Sequence, residues 1–170
     1  MKLIEKYASR ILRKKAALVK RQVKLPNPEY IRKVGVLWQP EQKEAFQFLA
    51  DHFSASPVIL RNLCVFDEKT EEETGINTIT PGELNWLGFP KPGPADEFIA
   101  TEFDLLLNIA LNQNRVLDYL TALSKARFKI GWSPDQSNFF DLNINIGGKQ
   151  DALFLARQQI FYLSQLNKKV

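Results

Sequence analysis

The chain has 170 residues, enough for one domain with a proper core and too few for two comfortable ones. Hydrophobic residues make up 45 % and charged residues 25 %, which is typical of a globular protein. Cys64 is the only cysteine, so an intrachain disulfide and a cysteine-based metal site are both excluded. The basic N-terminus lacks the apolar core of a signal peptide, and no apolar run approaches the ~20 residues of a membrane span, so we expect a cytoplasmic protein.

The net charge of +4 is unevenly distributed along the chain. Residues 1–33 hold eleven Lys and Arg against two acidic residues, a net +9, whereas residues 34–170 hold twelve against seventeen, a net −5. A basic segment on an acidic body is typical of an arm that contacts an anionic partner. The alternative is that the arm lies on its own acidic body.

Residues 1–25 contain no Gly or Pro, and their pattern predicts a basic amphipathic helical arm. Its apolar side is interrupted by Lys15 and Gln22. The opposite face carries the cations that would contact a partner, namely Lys2, Lys6, Arg10, Arg13, Lys14, Lys20 and Arg21. Residues 26–33 are predicted to form a stiff linker, because Pro26 and Pro28 cannot continue a helix.

Short apolar runs alternate with helical patterns through residues 34–170. Buried strands are predicted at 34–38, 58–65, 104–109 and 128–132, shorter or more exposed strands at 76–80 and 139–146, and helices after the first strand, at 116–126 and at 149–169. This alternation predicts a single three-layer α/β domain with a mainly parallel open sheet, a Rossmann-like half-fold, to which the N-terminal basic helix is appended.

Residues 81–94 contain four prolines and three glycines around Trp86 and Phe89, too irregular for a regular element. A loop of this length with exposed aromatic side chains is typical of a functional segment. The alternative is that it only covers the edge of the sheet.

The pattern Trp-x-Pro-acid-Gln occurs twice, at 38–42 and at 132–136. One interpretation is that both copies are helix starts, because proline suits the first helical position. The functional interpretation is a ligand pocket at the carboxyl edge of the sheet, where open α/β sheets bind ligands. Its residues would be Trp38, Asn108, Asn112, Asn114 and Trp132, with tryptophan stacking on a sugar or nucleotide ring.

Residues with catalytic chemistry are scarce. His52 is the only histidine, and no Gly-x-Ser-x-Gly or Cys–His arrangement accompanies it. Gly147-Gly148-Lys149 joins a strand to a helix but lacks the spacing of a P-loop, which favours a plain turn. We therefore predict no catalytic residue, no metal ligand and no cofactor, and lean towards a non-enzymatic protein.

Three stretches resemble a small uncharacterised bacterial family, and the similarity covers the whole chain. They are ELNWLGFPK at 83–91, FDLLLN at 103–108 and SKARFKIG at 124–131. No activity comes with that family, so this resemblance assigns no functional residue. The second and third stretches are also similar to a strand–helix–strand unit of heptosyltransferase-like glycosyltransferases. The chain is about half the length of those two-domain enzymes, so this likeness implies a Rossmann-like half-fold and argues against a working glycosyltransferase.

Three functions are compatible with these patterns. The first is a non-enzymatic binding or adaptor protein whose basic helix docks on structured RNA or a ribosomal particle through phosphate contacts. The second is small-ligand binding or enzymatic activity in the pocket described above. The third is attachment to an anionic membrane surface, against which stands the lack of Trp and Phe on the apolar side of residues 1–25.

Overall fold

All neighbouring strands of the sheet are parallel in the computed structural model, which describes residues 2–68 and 77–166. The strands are β1 (Lys33–Trp38), β2 (Ile59–Val65), β3 (Thr78–Ile79), β4 (Leu105–Asn108), β5 (Lys129–Gly131) and β6 (Leu142–Asn143). Their order across the sheet is β3-β2-β1-β4-β5-β6. The strand order reverses between β1 and β4, so their carboxyl ends form the switch point of a doubly wound sheet.

Helices cover both faces of this sheet. They are α1 (Lys2–Ala17), α2 (Lys43–Ser54), α3 (Pro94–Ala100), α4 (Arg115–Leu123) and α5 (Ala152–Gln165). In β4, Leu105 and Leu107 pack in the layer that contains α2 and α5, whereas Leu106 packs in the layer that contains α3 and α4. A strand that is buried on both faces is mainly apolar, which is why Leu105–Leu107 form a continuous apolar run; Asn108, the last residue of β4, is buried but polar. The predicted three-layer α/β fold with an N-terminal helix is confirmed.

The strands predicted from apolar runs are placed accurately, because β1, β2, β4 and β5 each begin and end within one residue of the predicted bounds. The elements without such a run differ more. The seven-residue helix α3 was not predicted, and β6 has two residues where eight were expected. Helix α5 begins at its Asp151 N-cap instead of at 149, and the predicted residues 167–169 lie outside the described part of the chain.

Only one copy of the repeated Trp-x-Pro-acid-Gln pattern starts a helix. Pro40–Gln42 forms a 3₁₀ turn that leads into α2. No helix forms between β5 and β6, where the second copy lies, so that expectation was wrong for this copy. Its Ser133 instead bonds through its backbone N–H and C=O to the Asn143 side chain at 2.9 and 2.8 Å. These bonds join the segment to β6 and replace the helical ones.

The predicted helix 1–25 is wrong in its second part, because α1 ends at Ala17. Leu18 and Val19 still bond back to the last turn of α1, but from Arg21 on the chain also bonds to the body. The backbone N–H of Lys24 donates to the Arg127 carbonyl at 3.0 Å, and the predicted linker packs on the body through Pro26 and Ile31, which are buried. Of the predicted segments 1–25 and 34–170, residue 1 and residues 69–76 and 167–170 lie outside the described residues.

Candidate nucleic-acid interface

Helix α1 is fixed to the outside of the α3–α4 layer by a small apolar contact. Ala8 and Leu12, four residues apart and therefore on one side of the helix, are buried against Leu87, Phe89 and Ala122. The arm is therefore docked on the body, as the alternative interpretation of its charge expected. Only its apolar side takes part in this contact.

Five of the six cations of α1 lie on the side that faces away from the body, and the sixth, Lys15, lies on the apolar side. At 100° per residue, five of them fall within about 120° of the helix circumference, opposite Ala8 and Leu12. We call these five the cationic face: Lys2, Lys6, Arg10, Arg13 and Lys14, all exposed. Within residues 2–68 and 77–166, the ion pairs shorter than 4.0 Å involve Arg21, Arg61 and Arg127, so the cationic face is unpaired there.

The other two predicted phosphate contacts differ from these five. Lys20 is exposed but lies beyond the end of α1. Arg21 forms a two-pronged ion pair with Asp141, with N–O distances of 2.6 and 2.8 Å, and also donates to the Ala126 carbonyl at 3.2 Å. A guanidinium held in this way fastens the arm to the body, so its assignment as a phosphate contact is corrected.

An aromatic pair borders the cationic face. Tyr7 of α1 stacks on Trp86, with ring centroids 6.1 Å apart and planes at 22°. Trp86 lies on the 81–94 loop, whose neighbouring residues Leu87 and Phe89 pack under α1. The loop therefore anchors the helix and presents an exposed indole beside it.

At the carboxyl edge of the sheet, both tryptophans of the predicted pocket serve packing. Trp38 stacks face to face on Phe46 at 4.5 Å, and its indole N–H donates to the side-chain oxygen of Asn62 at 3.0 Å. Trp132 is buried in the same apolar layer. The two rings are thus on one side of the sheet, but Trp132 is covered.

The predicted asparagines at this edge are also occupied by bonds, apart from Asn112, which is exposed. Buried Asn108 donates to Gln113 and Thr121, and accepts from Gln113 and the Ala110 N–H. This uses the whole capacity of its carboxamide. Asn114 caps α4 by accepting from the Leu117 N–H at 2.8 Å, and its amide donates to Asp67 at 2.8 Å. Asn108, Gln113 and Thr121 thus bond to one another at the switch point, whereas the side-chain oxygen of buried Gln159 has no hydrogen-bond partner among the described residues.

Two buried titratable groups have shifted pKa values. Burial, with the nearby Glu41 carboxylate, raises the pKa of the Cys64 thiol to about 12, so it is a packing group. Burial lowers the pKa of Lys129 to about 7, assisted by the Arg21 charge and partly offset by Asp141. Among the described residues, no group of three or more His, Cys, Asp or Glu side chains could hold a metal ion. No helix within 2–68 and 77–166 is long and apolar enough to cross a membrane.

Sequence reasoning singled out the loop that carries Trp86 but missed the pairing of Trp86 with Tyr7. It also missed the Arg21–Asp141 ion pair. Both contacts join residues that are far apart in the chain, and neither residue type nor spacing indicates them. The one indication in the sequence was Trp86 itself, an aromatic residue in a loop rich in proline and glycine.

Residues 2–166 match the model of a family described as a family of unknown function (DUF6913). No curated protein and no solved structure matches, and no resemblance to glycosyltransferases is shown. Because the match spans nearly the entire sequence, the chain belongs to this family of unknown function, and the prediction of an uncharacterised family is confirmed.

Proposed function

We propose that the protein is a non-enzymatic RNA-binding or adaptor protein that docks on structured RNA, or on a ribosomal particle, through the cationic face of α1. The observation that supports this function is five exposed cations on the outward side of a helix whose inward side is fixed to the body, and none of the five forms an ion pair with another residue that the structure describes. Such a face presents positive charge in a preorganised row. Phosphate contacts of this kind position a protein without reading sequence.

The spacing of the cationic face suits a phosphate backbone. From Lys2 to Lys14 the helix rises ~18 Å at 1.5 Å per residue. One strand of a B-form DNA duplex presents a phosphate every ~3.4 Å of axis, which sets the scale for a phosphate backbone. About five phosphates therefore lie along the length of the cationic face, which matches its five cations.

The acidic body sets the orientation of the complex. Residues 34–170 carry a net charge of −5, so phosphate repels them and attracts the arm. The arm is the surface that meets the RNA, and the α/β domain is held on the far side. A cytoplasmic location is part of this proposal.

A second candidate function is attachment to an anionic membrane surface. The exposed apolar side chains of Leu3, Ile4 and Trp86 near the cationic face favour it. An amphipathic helix that lies in a membrane must bury its apolar side there. In α1 that side holds Ala8 and Leu12 against the body, so the helix would have to leave its site first. We therefore favour RNA over a lipid surface as the partner of the cationic face.

The test removes three charges from the arm by the substitutions Lys6→Gln, Arg10→Gln and Arg13→Gln. Substitution is preferable to deletion of residues 1–25, since deletion would uncover Leu87 and Phe89. If five phosphates are engaged on a short RNA duplex, log affinity should fall with log salt at a slope of about −4.5. In the variant the slope should become shallower by about 2.7, at ~0.9 per lost contact.

The matched control changes three exposed body lysines, Lys43→Gln, Lys91→Gln and Lys125→Gln, and lowers the net charge equally. It should bind like the wild type. Fluorescence anisotropy with the duplex and co-sedimentation with ribosomal particles provide the readouts. Salt-independent binding, or equal losses in both variants, would contradict the RNA function. Loss of binding to vesicles of anionic phospholipid in the arm variant, without any effect on RNA, would transfer the function to the second candidate.

A further inference from the structure

The pairing of Tyr7 with Trp86 is unusual in its exposure. Trp86 is 73 % exposed and Tyr7 is 50 % exposed, although large aromatic side chains bury most of their surface in folded proteins. The two rings stack on each other yet leave ring surface open to solvent. Water is a poor environment for that surface, so the pair offers stacking energy to a flat partner.

The indole is held on a rigid support. In the turn 85–89, the Asn85 side-chain oxygen accepts from the N–H groups of Leu87 and Phe89 at 2.9 and 3.1 Å. The backbone closes the same turn through Asn85 N–H to the Phe89 carbonyl at 2.8 Å. Arg115 of α4 donates to the Leu87 carbonyl at 2.9 Å and ties the turn to the body. Little conformational entropy is then lost when a partner stacks on Trp86.

The pair lies directly beside positive charge. Tyr7 is three residues before Arg10 and seven before Lys14, so the three side chains share a flank of α1. A partner that stacks on the rings must therefore be flat and carry negative charge a few ångströms away. An unpaired nucleotide has both features, whereas the base faces of a duplex are covered by their neighbours.

We propose that Tyr7 and Trp86 form a stacking platform for unpaired bases, so that the preferred ligand is single-stranded or loop RNA next to a backbone held by the cationic face. This inference rests on the proposed function and narrows its ligand class. Base–aromatic stacking contributes enough in comparable sites that the loss of one ring weakens binding about tenfold or more. A duplex gains nothing from the platform.

The experiment compares an unstructured RNA oligonucleotide with an RNA duplex of the same length. Trp86→Ala should weaken binding of the single strand about tenfold and leave the duplex within about twofold. Trp86→Phe keeps a ring and should restore most of the affinity. The matched control is Phe161→Ala, which alters a second exposed aromatic pair, Phe161 and Tyr162, on α5 in the layer on the other face of the sheet. It should change neither affinity.

Tryptophan fluorescence gives a readout at the site itself. Because Trp132 is buried and Trp38 is half-buried, quenching by acrylamide reports mainly on Trp86. The single strand should protect this fluorescence from quenching, and the duplex should not. Circular dichroism of each variant checks that the fold is intact.

The outcomes separate this inference from the proposed function. If the Lys6, Arg10 and Arg13 variant loses affinity for both RNAs but Trp86→Ala leaves single-strand binding unchanged, the platform is refuted and the docking function stands. Equal weakening of both RNAs by Trp86→Ala also refutes the platform. If Trp86→Ala impairs binding only to vesicles of anionic phospholipid, the aromatic pair is a membrane anchor and the inference is overturned.

Discussion

Lys129 shows how a single residue couples the arm to the core. Its side chain is 2 % exposed, and its ammonium group donates to the Ala122 carbonyl at 3.3 Å. The ammonium group of Lys129 has three N–H donors but only this one acceptor among the described residues, so burial favours the neutral amine. The positive charge of Arg21 repels the ammonium form and adds to this effect. The pKa of Lys129 is accordingly lowered to about 7.

This lowered pKa predicts a pH dependence of stability. Between about pH 7 and the ordinary lysine pKa, the unfolded state binds more protons at Lys129 than the folded state, so the free energy of unfolding rises with pH. Below pH 7 the full cost of the buried charge applies. Lys129→Met should therefore raise stability by about 1–3 kcal/mol near pH 6.5, and the gain should shrink towards pH 10. Thermal melts of both proteins across this range measure it, and a gain that grows with pH would contradict the assignment.

Two glycines are required because an aromatic ring occupies the place of a side chain. A Cβ on Gly35 in β1 would lie 2.8 Å from the Phe103 ring, and one on Gly131 in β5 would lie 2.3 Å from the Phe140 ring. Phe103 is fully buried and has no room to withdraw. The Phe103 and Phe140 rings can therefore pack on the sheet only because the strand residues beneath them are glycines.

Gly35→Ala is expected to lower the free energy of unfolding by about 1–3 kcal/mol, because the core is overpacked at Phe103. Gly148→Ala is the control, since nothing lies within 4 Å of its Cβ position. Urea denaturation of the two variants measures the difference. Equal stabilities would show that Phe103 shifts freely.

At the level of elements, α1 is a helix whose place is decided by a few contacts. Leu12 is its largest buried side chain, and the Arg21–Asp141 ion pair holds the segment after it. These contacts join α1 to α4 and the 81–94 loop and involve no strand of the sheet. The docking of α1 determines which way the cationic face points.

Leu12→Ala should loosen this docking, with a loss of about 2–3 kcal/mol, because it leaves a cavity against Leu87 and Phe89. Leu18→Ala serves as the matched control, since Leu18 is 79 % exposed and its truncation should change stability by less than about 0.5 kcal/mol. Hydrogen exchange should accelerate in α1 and stay slow in β1 and β4. Unchanged exchange in α1 of the Leu12 variant would contradict the packing described.

For the whole molecule, the proposed functional surface lies away from the place where doubly wound sheets bind ligands. The switch point between β1 and β4 is filled by Asn108 and its partners, and Gln159 of α5 donates to the Asn108 carbonyl at 2.9 Å. The α/β domain acts as a rigid support. It carries α1 on the outside of one helical layer, with the acidic body behind it.

Local patterns in the amino-acid sequence were enough to predict the α/β class, four strands to within one residue and the charge separation between arm and body. Strand positions were predictable because burial on both faces leaves a continuous apolar run, which is a local property. Net charge is likewise a sum over the sequence. Neither the strand positions nor the net charge depends on which helices and strands pack together.

The contacts of individual arm residues, by contrast, depend on tertiary packing. Arg21 and Lys14 have the same charge and lie in the same predicted helix, yet Arg21 pairs with Asp141, 120 residues away, and Lys14 faces solvent. Trp86 and Trp132 are the same residue type, yet one is exposed beside Tyr7 and the other is buried. The physical reason is that an ion pair or an exposed ring depends on what packs nearby. That is set by the crossing of elements distant in the chain, and no local pattern encodes it.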